Sequence, residues 1–548
     1  MAGTSLSVRV AVAVGAALLA SAALAAAEWS NGRLFLRLAI PAQILLVVPA
    51  AILLLRHSAA ERRWDVRRLA APVLLCAFAA AFGAALYLSR GVVIPDESAY
   101  RFQARIFRSG AAWAPALPGA AQTLAMAPAY ARFSHHVMMG GKWYGKYPPL
   151  WPAALAAAQI LHIEAVANVL LAVLMIFMTF RFARRFSGAQ AGWIAALFCA
   201  VCPYFLSNAI TPMSHMFTGV VLTGAVWLML DDLELPSVGR RAGAWSLIAA
   251  AFWARPFTAV VFGAVYAAAL AIRYRRNGSV LLTSGALAGC TALLTVALLL
   301  AYNRLYTGSA LLSPYAAARG TRHMVEIKPV LGQMIGNVLT QTRWEYTYTA
   351  VFIGMPLFLL AAYGVWAMRS PGAWTLGALF PALVLCYTVQ PETSSSIAGD
   401  RYYFEAFFAL AALAAGGLTR LFERYATARG AQIAVVLLWT GTQVLPFTIV
   451  IGRARYRAAA SIALREGLPN LARAGAVVFL TPSHRLVPKH FNINEADWQH
   501  APVLYLLDPG PQQRSAIARG CGRSAWQAVT LDDVTMRPVV LASSTIAP

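Results

Sequence analysis

Residues 279–301 read SVLLTSGALAGCTALLTVALLLA, a run without one charged side chain, entered from Arg273, Arg275 and Arg276 and left at Tyr302-Asn303-Arg304. A helix rises about 1.5 Å per residue, so one wound from such a run covers the hydrocarbon core of a bilayer. The pattern repeats along the chain. Of 548 residues, 59% are hydrophobic and 12% charged, and mean hydropathy is +0.61. A soluble chain carries about 25% charged residues, so a water-soluble globule is excluded. Apolar segments lie near 8–27, 34–55, 70–89, 164–180, 189–207, 213–230, 243–254, 257–272, 279–301, 349–367, 373–389, 403–419 and 431–451. The short pair 243–254 and 257–272, parted by Arg255-Pro256, reads either as two tilted half-length helices or as one broken helix. Counting both predicts an all-α polytopic membrane protein of about 13 spans.

Sidedness follows from arginine. Arg62, Arg63, Arg67 and Arg68 precede the third span, and Arg181, Arg184 and Arg185 follow the fourth. Arg240 and Arg241 precede the seventh, Arg273, Arg275 and Arg276 follow the eighth, and Arg420, Arg424 and Arg429 follow the twelfth. Alternating spans put all five clusters on one side, the cytoplasmic one by the positive-inside rule. The first segment, with Arg9 and the small residues Ala23–Ala27, also reads as a signal peptide, and either reading leaves Glu28 outside. The expected divisions are N-terminal transmembrane helices over 1–89, an outer loop over 90–163, a transmembrane core over 164–452 with outer loops 302–348 and 391–401, and an outer C-terminal domain over 453–548. That tail alternates strand-like pieces (AVVFL at 476–480, PVLYLL at 502–507) with polar turns, the pattern of a small α/β domain. The net charge of +24 thereby resolves largely into inner-face arginines, and nucleic acid is not an expected partner. Five of the six cysteines lie in apolar runs. Cys199 and Cys202 have metal-like spacing without a second pair, which favours packing.

Chemistry is expected in the outer loops. The first opens Ile94-Pro95-Asp96-Glu97-Ser98-Ala99-Tyr100-Arg101, and Asp96 and Glu97 are its only acids as far as Lys146. Carboxylates near a membrane are costly unless paired or functional; they also suit a helix N-terminus. Both readings stand, and they are compatible. The loop ends Gly140-Gly141-Lys142-Trp143-Tyr144-Gly145-Lys146-Tyr147-Pro148-Pro149-Leu150-Trp151-Pro152. The chain has four lysines, Lys142, Lys146, Lys328 and Lys489, all in expected outer segments. A lysine there either snorkels or offers a compact charge to a phosphate. Gly399-Asp400-Arg401-Tyr402-Tyr403-Phe404-Glu405 leads into the twelfth span, with Asp400 or Glu405 available to pair with Arg401. His215, at an outer turn, reads as a hydrogen-bonded structural residue before a metal ligand. His135-His136 matches no closed metal site, leaving a divalent ion as the lesser option.

The ordered set of Asp-Glu before an aromatic, Gly-Lys-Tyr-Pro-Pro-x-Trp-Pro and Arg-Tyr-Tyr-Phe resembles the GT-C superfamily of glycosyltransferases. It is most similar to the protein-mannosyltransferase and lipid A aminoarabinose-transferase branch, from about Arg90 to Arg429. The chain departs from the simplest pattern in an extra hairpin before the acidic loop and a short outer tail. The resemblance implies a multi-pass enzyme of the cytoplasmic membrane, active on its outer face. It would move a sugar, with inversion, from a polyprenyl-phosphate donor to a hydroxyl on a glycan, lipid or protein acceptor, among membrane lipids and without a cofactor. It implies Asp96 as general base and Glu97 as a second catalytic carboxylate. Lys146, with Tyr144, Tyr147, Arg401 and Arg101, would bind the donor phosphate. The competing readings are a polytopic transporter, since broken helices occur there, a non-catalytic scaffold, and a lipid-linked glycan ligase or polymerase.

Overall fold

A computed structural model describes residues 66–118, 128–319, 347–387, 395–425 and 429–546. The first two expected spans, Arg62, Arg63, Lys328, most of the 302–348 loop and the start of the 391–401 loop lie outside the described residues. The rest is a helical bundle with small sheets at one end. In chain order it contains α1 (Val66–Leu88), α2 (Pro95–Arg108), β1 (Ala114–Pro115), β2 (His136–Met139), β3 (Lys142–Gly145) and α3 (Leu150–Ile160). Then come α4 (Ala167–Val201), α5 (Pro203–Ala209), α6 (Ser214–Glu234), α7 (Val238–Phe252), α8 (Pro256–Arg273), α9 (Gly278–Thr307) and α10 (Pro314–Arg319). After α11 (Thr347–Ile353), α12 (Met355–Met368) and α13 (Pro371–Tyr387), a ribbon of β4 (Ser395–Ser396) and β5 (Gly399–Asp400) leads to α14 (Phe407–Tyr425) and α15 (Arg429–Leu471). The C-terminal part holds β6 (Ala476–Leu480), β7 (Val503–Leu507), α16 (Pro511–Gly520), β8 (Ala525–Leu531) and β9 (Pro538–Thr545).

Among the described residues, six helices are long and apolar enough to cross a membrane, the 279–301 run among them inside α9. This is a helical, multi-pass membrane protein. The α4 span is two legs: Ser187 leaves helical geometry and Gly188 has φ 81°, just after Arg185, where the apolar segments 164–180 and 189–207 are separate in sequence. The Arg255-Pro256 ambiguity resolves into two helices, α7 and α8, packed on each other, with Arg255 extended between them.

The bundle is built around α14, whose Ala- and Gly-rich sequence lets neighbours approach closely. A Cβ on Gly364 of α12 would stand 2.2 Å from the Leu413 carbonyl of α14, and one on Gly417 would stand 2.2 Å from the Leu360 carbonyl. Only glycine permits that crossing. The window of greatest hydropathy from Arg401 to Arg424 is 89% buried, so the 3₁₀ turn Arg401–Ala406 that starts it is held by the most enclosed helix of the span set.

At the other end of the chain α15 runs unbroken through Arg453 to Leu471 and delivers β6 into a four-stranded sheet of order β7-β6-β8-β9. β6 is parallel to β7 and β8, and β9 is antiparallel to β8. AVVFL is buried on both faces, as a central parallel strand should be. Val477 and Phe479 share a core with Phe102 and Ile106 of α2 and Trp143 of β3, while Val478 and Leu480 pack on Leu464 and Leu468 of α15. The sheet therefore braces the loop that carries Asp96.

Candidate active site

Pro95 opens α2 at its first turn, where its missing N–H costs nothing. Glu97 folds back and accepts from the backbone N–H groups of Val93 at 3.3 Å and Ile94 at 3.2 Å. The capping reading of the two acids thus belongs to Glu97, fully buried, and Asp96 projects the other way. Burial pushes the Glu97 carboxyl up to about 7, against the pull of Arg101 and the two N–H donors.

Opposite Asp96, β2 and β3 form a hairpin whose two-residue turn is Gly140-Gly141, with φ 57° and 74°. Positive φ at both positions is what such a turn requires, and glycine adopts it without strain. β3 is tied to α2 by a hydrogen bond from the Gly145 N–H to Gln103 Oε1 of 3.0 Å. Lys146 and Tyr147 follow at once and face Asp96. The Tyr147 hydroxyl donates to Asp96 Oδ1, and its ring stacks on Tyr100, centroids 4.3 Å apart. Lys146 Nζ lies over the rings of Tyr147 and Tyr315, 5.2 and 5.1 Å from their centroids.

The third wall comes from the start of α14. Arg401 Nη2 is 3.2 Å from each oxygen of Asp96. Neither expected partner holds Arg401: Asp400 accepts the Tyr402 N–H at 2.9 Å and caps its own turn, and Glu405 pairs elsewhere. Buried Arg401 Nε has no hydrogen-bond partner among the described residues. Burial alone would raise the Asp96 carboxyl, but Arg401, assisted by His135, Tyr147 and Lys146, holds it well below the usual carboxylate range. His135 Nε2 is 3.8 Å from Asp96 Oδ2. Burial, reinforced by Lys146 and Arg401, pushes His135 down to about 4, so at neutral pH it is an uncharged neighbour and Arg401 is the counter-ion. His135 sits at φ 66°, a conformation unfavourable for a residue with a Cβ. His136 points into the apolar core beside Phe102 and Trp143, so the two histidines do not face a common point.

Arg101 does not join this group. It donates to the carbonyls of Ser89 at 2.9 Å and Gly91 at 2.8 Å and pairs with Glu164 at 3.4 Å, fastening the end of α1. As an always-charged donor on a crowded helix face, Arg101 satisfies carbonyls left open where α1 ends, apart from the group around Asp96. Tyr144 is fully buried against Tyr306, ring centroids 4.9 Å apart, and its hydroxyl has no hydrogen-bond partner among the described residues.

A second polar cluster adjoins the first. His215 Nδ1 donates to Glu405 Oε1 at 3.1 Å, and Arg255 Nη1 donates to His215 Nε2 at 3.1 Å. Arg255 Nε is 2.9 Å from Glu405, and its Nη2 donates to the Tyr387 hydroxyl at 3.2 Å. Arg255 and Arg401 lie over the same ring, Tyr402, at 5.3 and 5.9 Å. A charged residue interrupting an apolar run was the signal for Arg255. Nothing local to the sequence joined it to Glu405 and His215, 150 and 40 residues from it. Among the described residues no group of three or more His, Cys, Asp or Glu is arranged to hold a metal ion.

No family model matches the sequence, and no curated protein matches it. Solved structures do. The chain is similar to ArnT from Cupriavidus metallidurans bound to undecaprenyl phosphate, with TM-score 0.51 and 14% identity over 88% of this chain and 98% of that one. The same protein in the apo state gives TM-score 0.52 and 14% identity over 85% and 94%. Looser, at TM-score 0.43 and 13% identity over 83% and 69%, is the oligosaccharyltransferase AglB from Archaeoglobus fulgidus. The chain thus shares its fold with ArnT. The likeness to ArnT covers most of both chains, and it is one of fold, at an identity too low to carry residue roles across.

Proposed function

We propose that the protein is an inverting membrane glycosyltransferase. It would take a sugar from a polyprenyl-phosphate donor and attach it to a hydroxyl of a glycan, lipid or protein acceptor on the outer face of the cytoplasmic membrane. The observation that carries this reading is Asp96, an ionised carboxylate gripped by Tyr147 and Arg401, with buried Arg401 Nε left over as a donor beside it. Asp96 is the general base, and Arg401, Lys146 and Arg255 are the cations toward which a leaving phosphate would move. Undecaprenyl phosphate in ArnT, which has this fold, supports the choice of donor. The Arg-rich helix ends lie away from Asp96, which supports the outer face.

A carboxylate clamped by arginine is a weak base. The donor phosphate competes for Arg401, and as the guanidinium turns to it Asp96 regains basicity. Attack by the acceptor oxygen at the anomeric carbon breaks the bond to the phosphate oxygen. The hydroxyl proton passes to Asp96, and the phosphate departs with the bonding pair. Glu97 holds the helix turn that aims Asp96, and Tyr147 fixes its rotamer. The reading assigns the phosphate's counter-charge to protein cations. Transfer lost in chelator and restored by Mg²⁺ or Mn²⁺ would place an ion there instead.

The test is purified protein in lipid with polyprenyl-phosphate-linked sugars and an envelope extract as acceptor, scored by release of polyprenyl phosphate. Wild type should release it, and Asp96→Asn should be slower by roughly 10²–10⁴-fold at normal yield and melting temperature. Undiminished release by that variant removes Asp96 as the base. Solute movement across the bilayer without donor cleavage removes the enzyme reading altogether.

A further inference from the structure

A cavity of about 350 Å³ opens at the far end of the spans from Asp96. Ser214, at one end of α6, meets Tyr100 beside the active site, and Glu234, at the other end, lines this cavity. Twenty-one residues of helix separate the two ends, about 30 Å at the usual rise. Three arginines from three helices converge on the space: Arg185 of α4, Arg273 of α8 and Arg420 of α14. Ser370, Pro371 and Gly372, which open the 17-residue α13, form another side, so the positive end of a helix dipole points the same way. The remaining wall is apolar, with Phe186, Leu233 and Met368.

The arginines are not equally committed. Arg185 is bound to Asp231 at 2.5 Å and Glu234 at 2.6 Å and holds α4 to α6. Arg273 contacts the Leu233 carbonyl through Nε at 3.3 Å, and Arg420 pairs with Glu423 at 3.5 Å on an exposed helix face. Arg273 and Arg420 can therefore turn toward an anion without dismantling the bundle. Sidedness alone places arginines at inner helix ends but does not gather them around one concavity. A cationic rim beside an apolar wall, between spans and at bilayer-surface depth, has the chemistry of an anionic amphiphile's binding site.

We propose that this cavity binds a phosphate-bearing anion, presented by a lipid headgroup or as free phosphate, through Arg273 and Arg420 at the start of α13. The site is separate from the catalytic one and stands whether or not that reading does.

The full-length protein is reconstituted in phosphatidylcholine nanodiscs, and phosphatidylglycerol is titrated in one arm and inorganic phosphate in another, with bound anion counted by native mass spectrometry. The two variants are Arg273→Gln/Arg420→Gln and Arg275→Gln/Arg276→Gln, which remove the same charge inside and just outside the cavity. The first should weaken binding roughly ten- to thirtyfold and the second less than about threefold. Saturation by phosphatidylglycerol alone identifies a lipid headgroup, and saturation in the inorganic-phosphate arm as well supports the shared chemistry. Equal losses in the two variants, or no saturable anion in either arm, overturn the proposal. Should the double variant unfold, Arg420→Gln alone carries the comparison, since that side chain is exposed and, among the described residues, pairs only with Glu423.

Discussion

The two adjacent acids of the first loop have opposite fates, and the cause is helix geometry. Glu97 at the third helical position reaches back to the N–H groups before the helix, while Asp96 one step earlier cannot and faces Arg401. In Arg401→Gln the burial of Asp96 would lose the largest charge opposing it, leaving His135, Tyr147 and Lys146, so its carboxyl should rise. Transfer is expected to fall by roughly 10²–10³-fold, and an acid limb absent from wild type should appear in the pH–rate profile. Glu97 gives a second pH signature. The native carboxyl keeps its proton up to about 7, while an unfolded one releases it near 4.5. Its contribution to stability is therefore complete below about 4.5 and is lost as pH rises to about 7. Glu97→Gln should flatten the fall in melting temperature over that window and keep transfer within about tenfold of wild type. An unchanged slope would show that another group titrates there. Asp96, Lys146, Tyr147 and Arg401 were legible as types in the right order along the chain. Arg101 looked like their companion because charge alone does not say which way a side chain points.

Among the elements, α12 and α14 cross at glycines, and the turn bearing Arg401 begins α14. Gly364→Leu would drive a side chain into the Leu413 carbonyl. The expected cost is about 1–3 kcal/mol, read as a lower melting temperature, together with reduced transfer as Arg401 shifts. Gly285→Leu on α9, where a Cβ meets nothing within 4 Å, is the matched control and should change neither. Hydropathy found the helices themselves, because burial in lipid or in a bundle demands the same apolar runs. It did not distinguish a peripheral run such as α9, 11% buried in its most apolar window, from the central α14 at 89%. The difference lies in small residues that allow contact, a weaker mark than hydrophobicity.

For the molecule as a whole, the C-terminal sheet is part of the scaffold behind Asp96. Phe479 packs in one core with Phe102 of α2 and Trp143 of β3, and the Asn492 N–H donates to Ser98 Oγ at 2.9 Å. Phe479→Ala should cost about 3 kcal/mol and slow transfer although the residue touches neither Asp96 nor Arg401. Unaltered transfer at matched folded fraction would show that the sheet does not brace α2. The sequence by itself determined that the chain spans a membrane many times, that AVVFL is a buried strand, and which loops hold acids near cations. Those properties are written in runs and spacings, where neighbours along the chain are enough. The tertiary structure alone decided that Arg401 grips Asp96 from 305 residues away, that Arg101 belongs to the end of α1, and that Glu405, His215 and Arg255 form one buried network. Each rests on which helix ends meet, and helix packing is settled by side-chain volume and close backbone approach across the whole bundle.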